Sequence, residues 1–198
     1  MPQILGVLLL LGAAVPAHAE LDLETALAER VMGDSEAPVT IIEYASLTCP
    51  HCASFHNDAL KDLKARYIDT GKVKLIYRDF PLDQRALMAS MLARCAVEDR
   101  YFGFIDVLYR AQDNWSRARD VNKALAQIGR LGGLSADDLD ACLKNEALAD
   151  GILRMRQQGT QEHNVQSTPS FVINGETHPG NMPIEEFAKI IDPLIPTN

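Results

Sequence analysis

The sequence predicts an α/β fold in which an all-helical block interrupts a small sheet, and three observations carry that prediction. A β-branched run at residues 39–45 is followed by an amphipathic helix and a second strand at 73–80, which makes a βαβ unit. Between Leu82 and about Gln158 strand character disappears and helical stripes follow one another. β character returns at Ser170-Phe171-Val172-Ile173, with Asn174-Gly175 as a tight hairpin turn.

The elements justify themselves in order. Residues 4–15 (Ile4 to Val15) form an apolar or small-residue run, followed by Pro16 and Ala17-His18-Ala19. Such a stretch is too short to span a bilayer and ends in small residues, so a secretory signal peptide over 1–19 is expected. Met1-Pro2-Gln3 brings no Lys or Arg, and an uncleaved anchor or a misassigned start is the competing reading. Glu20 to Met32 has a weakly helical pattern, and Gly33 to Pro38 reads as a turn. Val39 to Ala45 reads as a buried strand, Phe55, Ala59, Leu60, Leu63 and Tyr67 as one helix face, and Val73 to Phe80 as the next strand.

In the helical block, Met88, Met91, Leu92, Cys95 and Ala96 form a stripe, and Phe102–Tyr109 and Val121–Leu131 give two further helices. Ser135 to Asp138 resembles a capping box that opens a short helix carrying Leu139, Cys142 and Leu143; another helix runs from Ala147 to about Gln161. A short strand through Thr177 and His178 follows the hairpin turn. Pro183 is expected at the first position of a last helix, which Pro193 stops. The expected organisation is a first α/β part over 20–81, the helical domain over 82–158 and a second α/β part over 159–198.

The chemistry concentrates at Cys49-Pro50-His51-Cys52, between a strand and a helix. Two thiols three residues apart suit a redox pair. If the helix begins inside the motif, Cys49 lies at its N-terminus, where free N–H groups and the helix dipole favour a thiolate. Cys52, one turn deeper, is expected to be less exposed. Pro50 fixes one dihedral, and a protonated His51 would add positive charge beside Cys49. His56 extends the motif to C-x2-C-x3-H, which also fits part of a zinc site, but no second closely spaced Cys or His pair completes one; His56 otherwise reads as an ordinary polar helix residue. Glu43 is out of character in its apolar strand: it belongs either to an exposed sheet end or to a buried position under the motif.

The formal net charge of −8 resides wholly after residue 19, which argues against nucleic acid or an anionic membrane as a ligand. The four cysteines all lie after the leader, and in an oxidising compartment an even count invites pairing. Cys95 and Cys142 sit on apolar helix faces and neither belongs to a C-x-x-C. A structural disulfide is favoured over a second redox pair or two buried thiols. In the chain-entropy picture such a staple contributes roughly 4 kcal/mol.

The run from Glu43 to Cys52, together with Ser167-Thr168-Pro169-Ser170-Phe171, resembles the DsbA family of bacterial thiol:disulfide oxidoreductases, alphaproteobacterial type. The resemblance covers Val39 to Asn198 and implies a thioredoxin fold with an inserted all-helical domain. It implies Cys49 as reactive thiol, Cys52 as resolving thiol, Glu43 as the buried acid that handles a proton for Cys52, and Pro169 as a cis-proline. That proline places the Thr168 backbone where an extended substrate segment would pair. It also implies that Cys95 and Cys142 are the extra pair of some members. A periplasmic oxidase is expected, acting on reduced, unfolded exported proteins and re-oxidised by a DsbB-like membrane quinone reductase. No metal or organic cofactor is called for. A monomer is expected, because residues 20–38 are too short for the dimerisation domain of the related isomerases. A reductase or isomerase of the same fold, or a peptide-binding chaperone module, are the alternatives.

Overall fold

The computed structural model describes residues 21–196; the expected signal peptide over 1–19 lies outside them. Helix α1 (Leu23–Leu27) starts at Asp22, whose carboxylate accepts from the Glu24 N–H, and leads into strand β1 (Arg30–Met32). Strand β2 (Val39–Ala45), helices α2 (Pro50–Asn57) and α3 (Ala59–Leu63), a π-helical turn over Lys64–Ile68 and strand β3 (Val73–Asp79) follow. Next come α4 (Gln84–Arg94), α5 (Tyr101–Arg110), α6 (Gln112–Ser116), α7 (Val121–Leu131), α8 (Ala136–Leu143) and α9 (Glu146–His163). Strands β4 (Ser170–Ile173) and β5 (Glu176–Pro179) and helix α10 (Ile184–Ile191) close the chain.

One five-stranded sheet in the order β1-β3-β2-β4-β5 organises the molecule. The central strands β2 and β3 run parallel, with Glu43 opposite Tyr77, and the other neighbours pair antiparallel. Only β2 and β3 need a crossover, and α2 with α3 supplies it. Phe55, Leu60 and Leu63 from the crossover pack with Ile41, Leu75, Phe171 and Phe187 into one core. Leu47, Cys52, Tyr77, Leu92, Phe104, Leu108 and Trp115 make a second core that joins the sheet to the helical block. Asn174 and Gly175 both take positive φ, the requirement of the two-residue turn between β4 and β5. Helix α9 lies so close to β2 that a Cβ on Gly159 would stand 2.5 Å from the Tyr44 ring.

Three expectations need correction. The helical pattern over Glu20 to Met32 yields only one short helix, and Arg30–Met32 is an edge strand. Its hydrogen bonds to β3 and the burial of Arg30, which donates to the Thr25 carbonyl at 3.0 Å, settle a segment too short to show a period of its own. The helix after the motif is broken at Asp58, with φ −123° and ψ −85°. Pro183 is the N-cap of α10 rather than its first residue. Residue 158 lies within α9, which packs on α1, α4 and β3.

Cys95 ends α4 and is bonded to Cys142 of α8, with Cα atoms 6.1 Å apart, inside the range a disulfide spans. The bond ties two helices of the block and packs with Leu87, Met91, Leu148 and Ile152, Cys142 buried and Cys95 half-buried.

Candidate active site

Strand β2 ends at Ala45, and the next residues turn the chain so that the Cys49 N–H donates to the Ser46 carbonyl at 3.0 Å. Cys49 is then the N-cap of α2, and Pro50 takes the first helical position, where its missing N–H costs nothing. Both thiols are unbonded. Cys49 retains 6 % of its surface, whereas Cys52, three residues along and one turn inward, retains none.

The two sulfurs are pushed in opposite directions. The Cys49 thiol is lowered to about 5: the Cys52 thiol donates to its sulfur, burial opposes this, and the Thr168 side chain and the N–H groups of Cys52 and His51 add to the lowering. Burial pushes the Cys52 thiol far up, and the charges on Cys49 and Glu43 push it further. His51 acts here through its N–H; its imidazole is exposed, as is Pro50.

A pH dependence follows. Cys49 is held below its value of 9.0 in an unfolded chain, so its thiolate stabilises the folded dithiol form fully above about pH 9, and that stability is lost as pH falls through about 5. Cys52, shifted upward, draws stability away again above about pH 9, where the unfolded chain ionises it. The expected result is a thiolate ultraviolet absorbance in the dithiol form with a midpoint near 5, and a urea midpoint that rises with pH over that window. An absorbance midpoint near that of a free thiol, about 8.5, would remove the asymmetry on which the site depends.

Opposite the motif, the Thr168–Pro169 peptide is cis, and the Cys49 sulfur lies 3.2 Å from the Thr168 carbonyl, to which its thiol form donates. The loop is held by the Gly180 N–H, which donates to the Pro169 carbonyl at 2.8 Å. Glu43 lies under the motif, fully enclosed. His56 is no ordinary polar helix residue: its Nε2 stands 2.9 and 3.1 Å from the two Glu43 oxygens, and its ring stacks on Tyr109 with centroids 4.2 Å apart. Positions 52 and 56 of one helix share a face, so the start of α2 at Pro50 turns both side chains inward over β2. That spacing beside a strand acid was the available signal for His56.

Sequence reasoning missed Gln112 entirely. Its side chain reaches from α6 and donates to the carbonyls of Leu47 at 2.9 Å and Cys49 at 3.0 Å, which fixes the turn that presents Cys49. Nothing local in the sequence marks it, because its partners are backbone atoms more than sixty residues away. Thr48 donates to Asp83, which also caps α4, so the same turn is tied to the helical block a second time. Among the described residues no three His, Cys, Asp or Glu side chains converge to hold a metal ion.

The family model described as Thioredoxin matches residues 25–193. The crystal structure of Wolbachia pipientis alpha-DsbA1 superposes with a TM-score of 0.78 at 33% identity, over 84% of this chain and 90% of that one. The chain belongs to the thioredoxin-fold DsbA family. Family membership covers both the sheet with its motif and the helical block. A Rickettsia bellii protein named "Putative protein-disulfide oxidoreductase" is 32% identical over 168 residues, 84% of this chain; the chain spans 64% of the length of that relative. The structure of a protein-disulfide isomerase from Novosphingobium aromaticivorans matches with a TM-score of 0.72 at 25% identity, over 84% and 97% of the two chains.

Proposed function

We propose that this DsbA-family chain is a periplasmic thiol:disulfide oxidase that introduces disulfides into exported proteins through Cys49 and Cys52. The single observation that carries this reading is the opposed pair of sulfurs, one stabilised as a thiolate at a helix N-terminus and one buried as a thiol. A disulfide whose reduced form is stabilised by an outer thiolate accepts electrons readily, which makes it oxidising.

The reaction balances as two exchanges. A substrate thiolate attacks the Cys49 sulfur of the Cys49–Cys52 disulfide; a bond forms between substrate and Cys49, and Cys52 leaves and takes a proton. A second substrate thiolate attacks the substrate sulfur of this mixed disulfide and expels Cys49 as a thiolate, a good leaving group at neutral pH. The substrate loses two electrons and the enzyme gains them. The Thr168 carbonyl beside Cys49 would pair with an extended substrate backbone while this happens. Re-oxidation falls to a DsbB-like quinone-linked membrane partner, and the chain acts as a monomer exported by the leader at residues 1–19.

The equilibrium of Cys49–Cys52 with a glutathione buffer tests the oxidase, measured in a chain whose Cys95 and Cys142 are alanine. The expected potential lies well above about −200 mV. A value near about −270 mV would replace the oxidase by a reductase, and a value near about −180 mV with scrambled-substrate refolding activity would replace it by an isomerase.

A further inference from the structure

Releasing and recapturing Cys52 moves a proton at a sulfur that has no surface. Cys52 and Glu43 are both fully enclosed. His56 differs from them: it retains 8 % of its surface while its Nε2 is held against both Glu43 oxygens at 2.9 and 3.1 Å. It stands four residues after Cys52 on the same helix face, so the carboxylate lies beneath both.

We infer that His56 is a positioning residue for the exchange reaction, the link through which the Cys52 proton, accepted by Glu43, passes to and from solvent. This rests on the thiol:disulfide exchange proposed above. During resolution the Cys52 thiol gives its proton to the Glu43–His56 pair as its sulfur attacks Cys49; the Cys49–Cys52 bond forms and the partner sulfur leaves as a thiolate. In the opposite direction, Cys52 departs as a thiolate and recovers a proton from the pair. In each case His56 restores the pair's proton count by exchange with water. Electrons move only among the sulfurs.

The surroundings leave the pair as the mobile proton holder. From β3 the ring of Tyr77 meets His56 edge-on at 5.8 Å, and from α5 Tyr109 stacks on it. The Tyr77 and Tyr109 hydroxyls are 2.9 Å apart and satisfy one another. Tyr101 packs behind Tyr77. Burial holds all three phenols well above their ordinary value, so they keep their protons. The Asp79–Arg94 ion pair further along β3 is fully buried, and its guanidinium is directed to the Ala26 and Ala28 carbonyls. Cys52, Glu43 and His56 are therefore the groups of this pocket that trade a proton.

The test is the pH dependence of resolution, the rate at which Cys52 displaces glutathione from a Cys49–glutathione mixed disulfide. His56→Gln keeps a donor for Glu43 but cannot carry a proton. Its expected rate is roughly tenfold lower, with one inflection of the wild-type pH profile gone and the ultraviolet titration of Cys49 unchanged. Glu43→Gln should remove the same inflection, and the double variant should be no slower than Glu43→Gln alone. The unaltered protein gives a second readout that no folding defect can blur: the ring nitrogen resonances of His56 shift at constant pH between the dithiol and disulfide forms. Unchanged resonances, or a His56→Gln profile within about twofold of the wild type at every pH, overturn the relay while leaving the oxidase intact. A wild-type protein that never resolves the mixed disulfide overturns the oxidase and the relay together.

Discussion

A Cys52→Ser variant accumulates covalent adducts between Cys49 and disulfide-bearing substrate proteins, each formed as one substrate sulfur leaves as a thiolate, and its turnover falls by at least a thousandfold. The expectation comes from the separation of duties in the site. Cys49 is the sulfur of the pair that keeps some surface, lies beside the Thr168 carbonyl and is stabilised as a thiolate, so it remains able to attack a substrate disulfide after Cys52 is gone. The adduct then lacks the internal sulfur that would release it, and only a second external thiol can do so. Losing the covalent route in a nucleophilic exchange removes three or more orders of magnitude, about 4 kcal/mol of barrier. Serine is close to isosteric at a fully enclosed position, and its hydroxyl can still donate to the Cys49 sulfur, so the fold is expected to hold. Adducts are read by mass on non-reduced samples, with Cys49→Ser as the partner variant that forms none. Adduct formation through any other cysteine, or turnover of Cys52→Ser within tenfold of the wild type, would sink the assignment of attacking and resolving roles.

That asymmetry is legible in the amino-acid sequence, because it depends on local rules. A helix that begins at Pro50 makes its preceding residue an N-cap and its third residue an inward-facing one, whatever else surrounds it. The strands Val39–Ala45 and Ser170–Ile173 were legible for a similar reason: β-branched content over a length that admits little else. Features set by partners distant in sequence were not. Arg30–Met32 became a strand because β3 offered an unpaired edge, and three residues cannot announce a period. Gln112 is one polar residue beside others, Arg110, Asp113 and Asn114, until its two carbonyl partners are known. Glu43 and His56 each looked odd or ordinary alone; only the crossing of α2 over β2 makes them a pair. The cis peptide at Pro169 came from the family resemblance, since no local rule distinguishes it from a proline that starts a strand.

An Arg94→Met substitution is expected to destabilise the protein by roughly 3–5 kcal/mol, the largest stability loss available from one side chain outside the hydrophobic core. Both partners of this ion pair are fully buried, with Nε 2.5 Å from the Asp79 Oδ2. The guanidinium also donates to the carbonyls of Ala26 at 2.8 Å and Ala28 at 3.3 Å, and lies over the Tyr101 ring. One side chain thus closes the C-terminal end of α1 onto the end of β3 and anchors α4, the helix that carries Cys95. Removing it leaves the Asp79 carboxylate enclosed without a counter-charge, and its Oδ1 has no hydrogen-bond partner even in the intact protein. Burial costs the Arg94 cation and the Asp79 charge offsets that cost, with the net effect of holding the guanidinium above its ordinary value. Repairing the vacancy from the other side separates charge from packing: Asp79→Leu with Arg94→Met should regain most of the loss, because two apolar side chains of similar volume replace the pair without an orphan charge. Urea unfolding of the two variants measures this directly, and the titration of the Cys49 thiolate should be the same in both, since the pair lies beyond the site. A single variant that loses less than about 1 kcal/mol would show that water reaches Asp79, and that the helical block is held to the sheet by its apolar contacts and the Gln112 clamp alone.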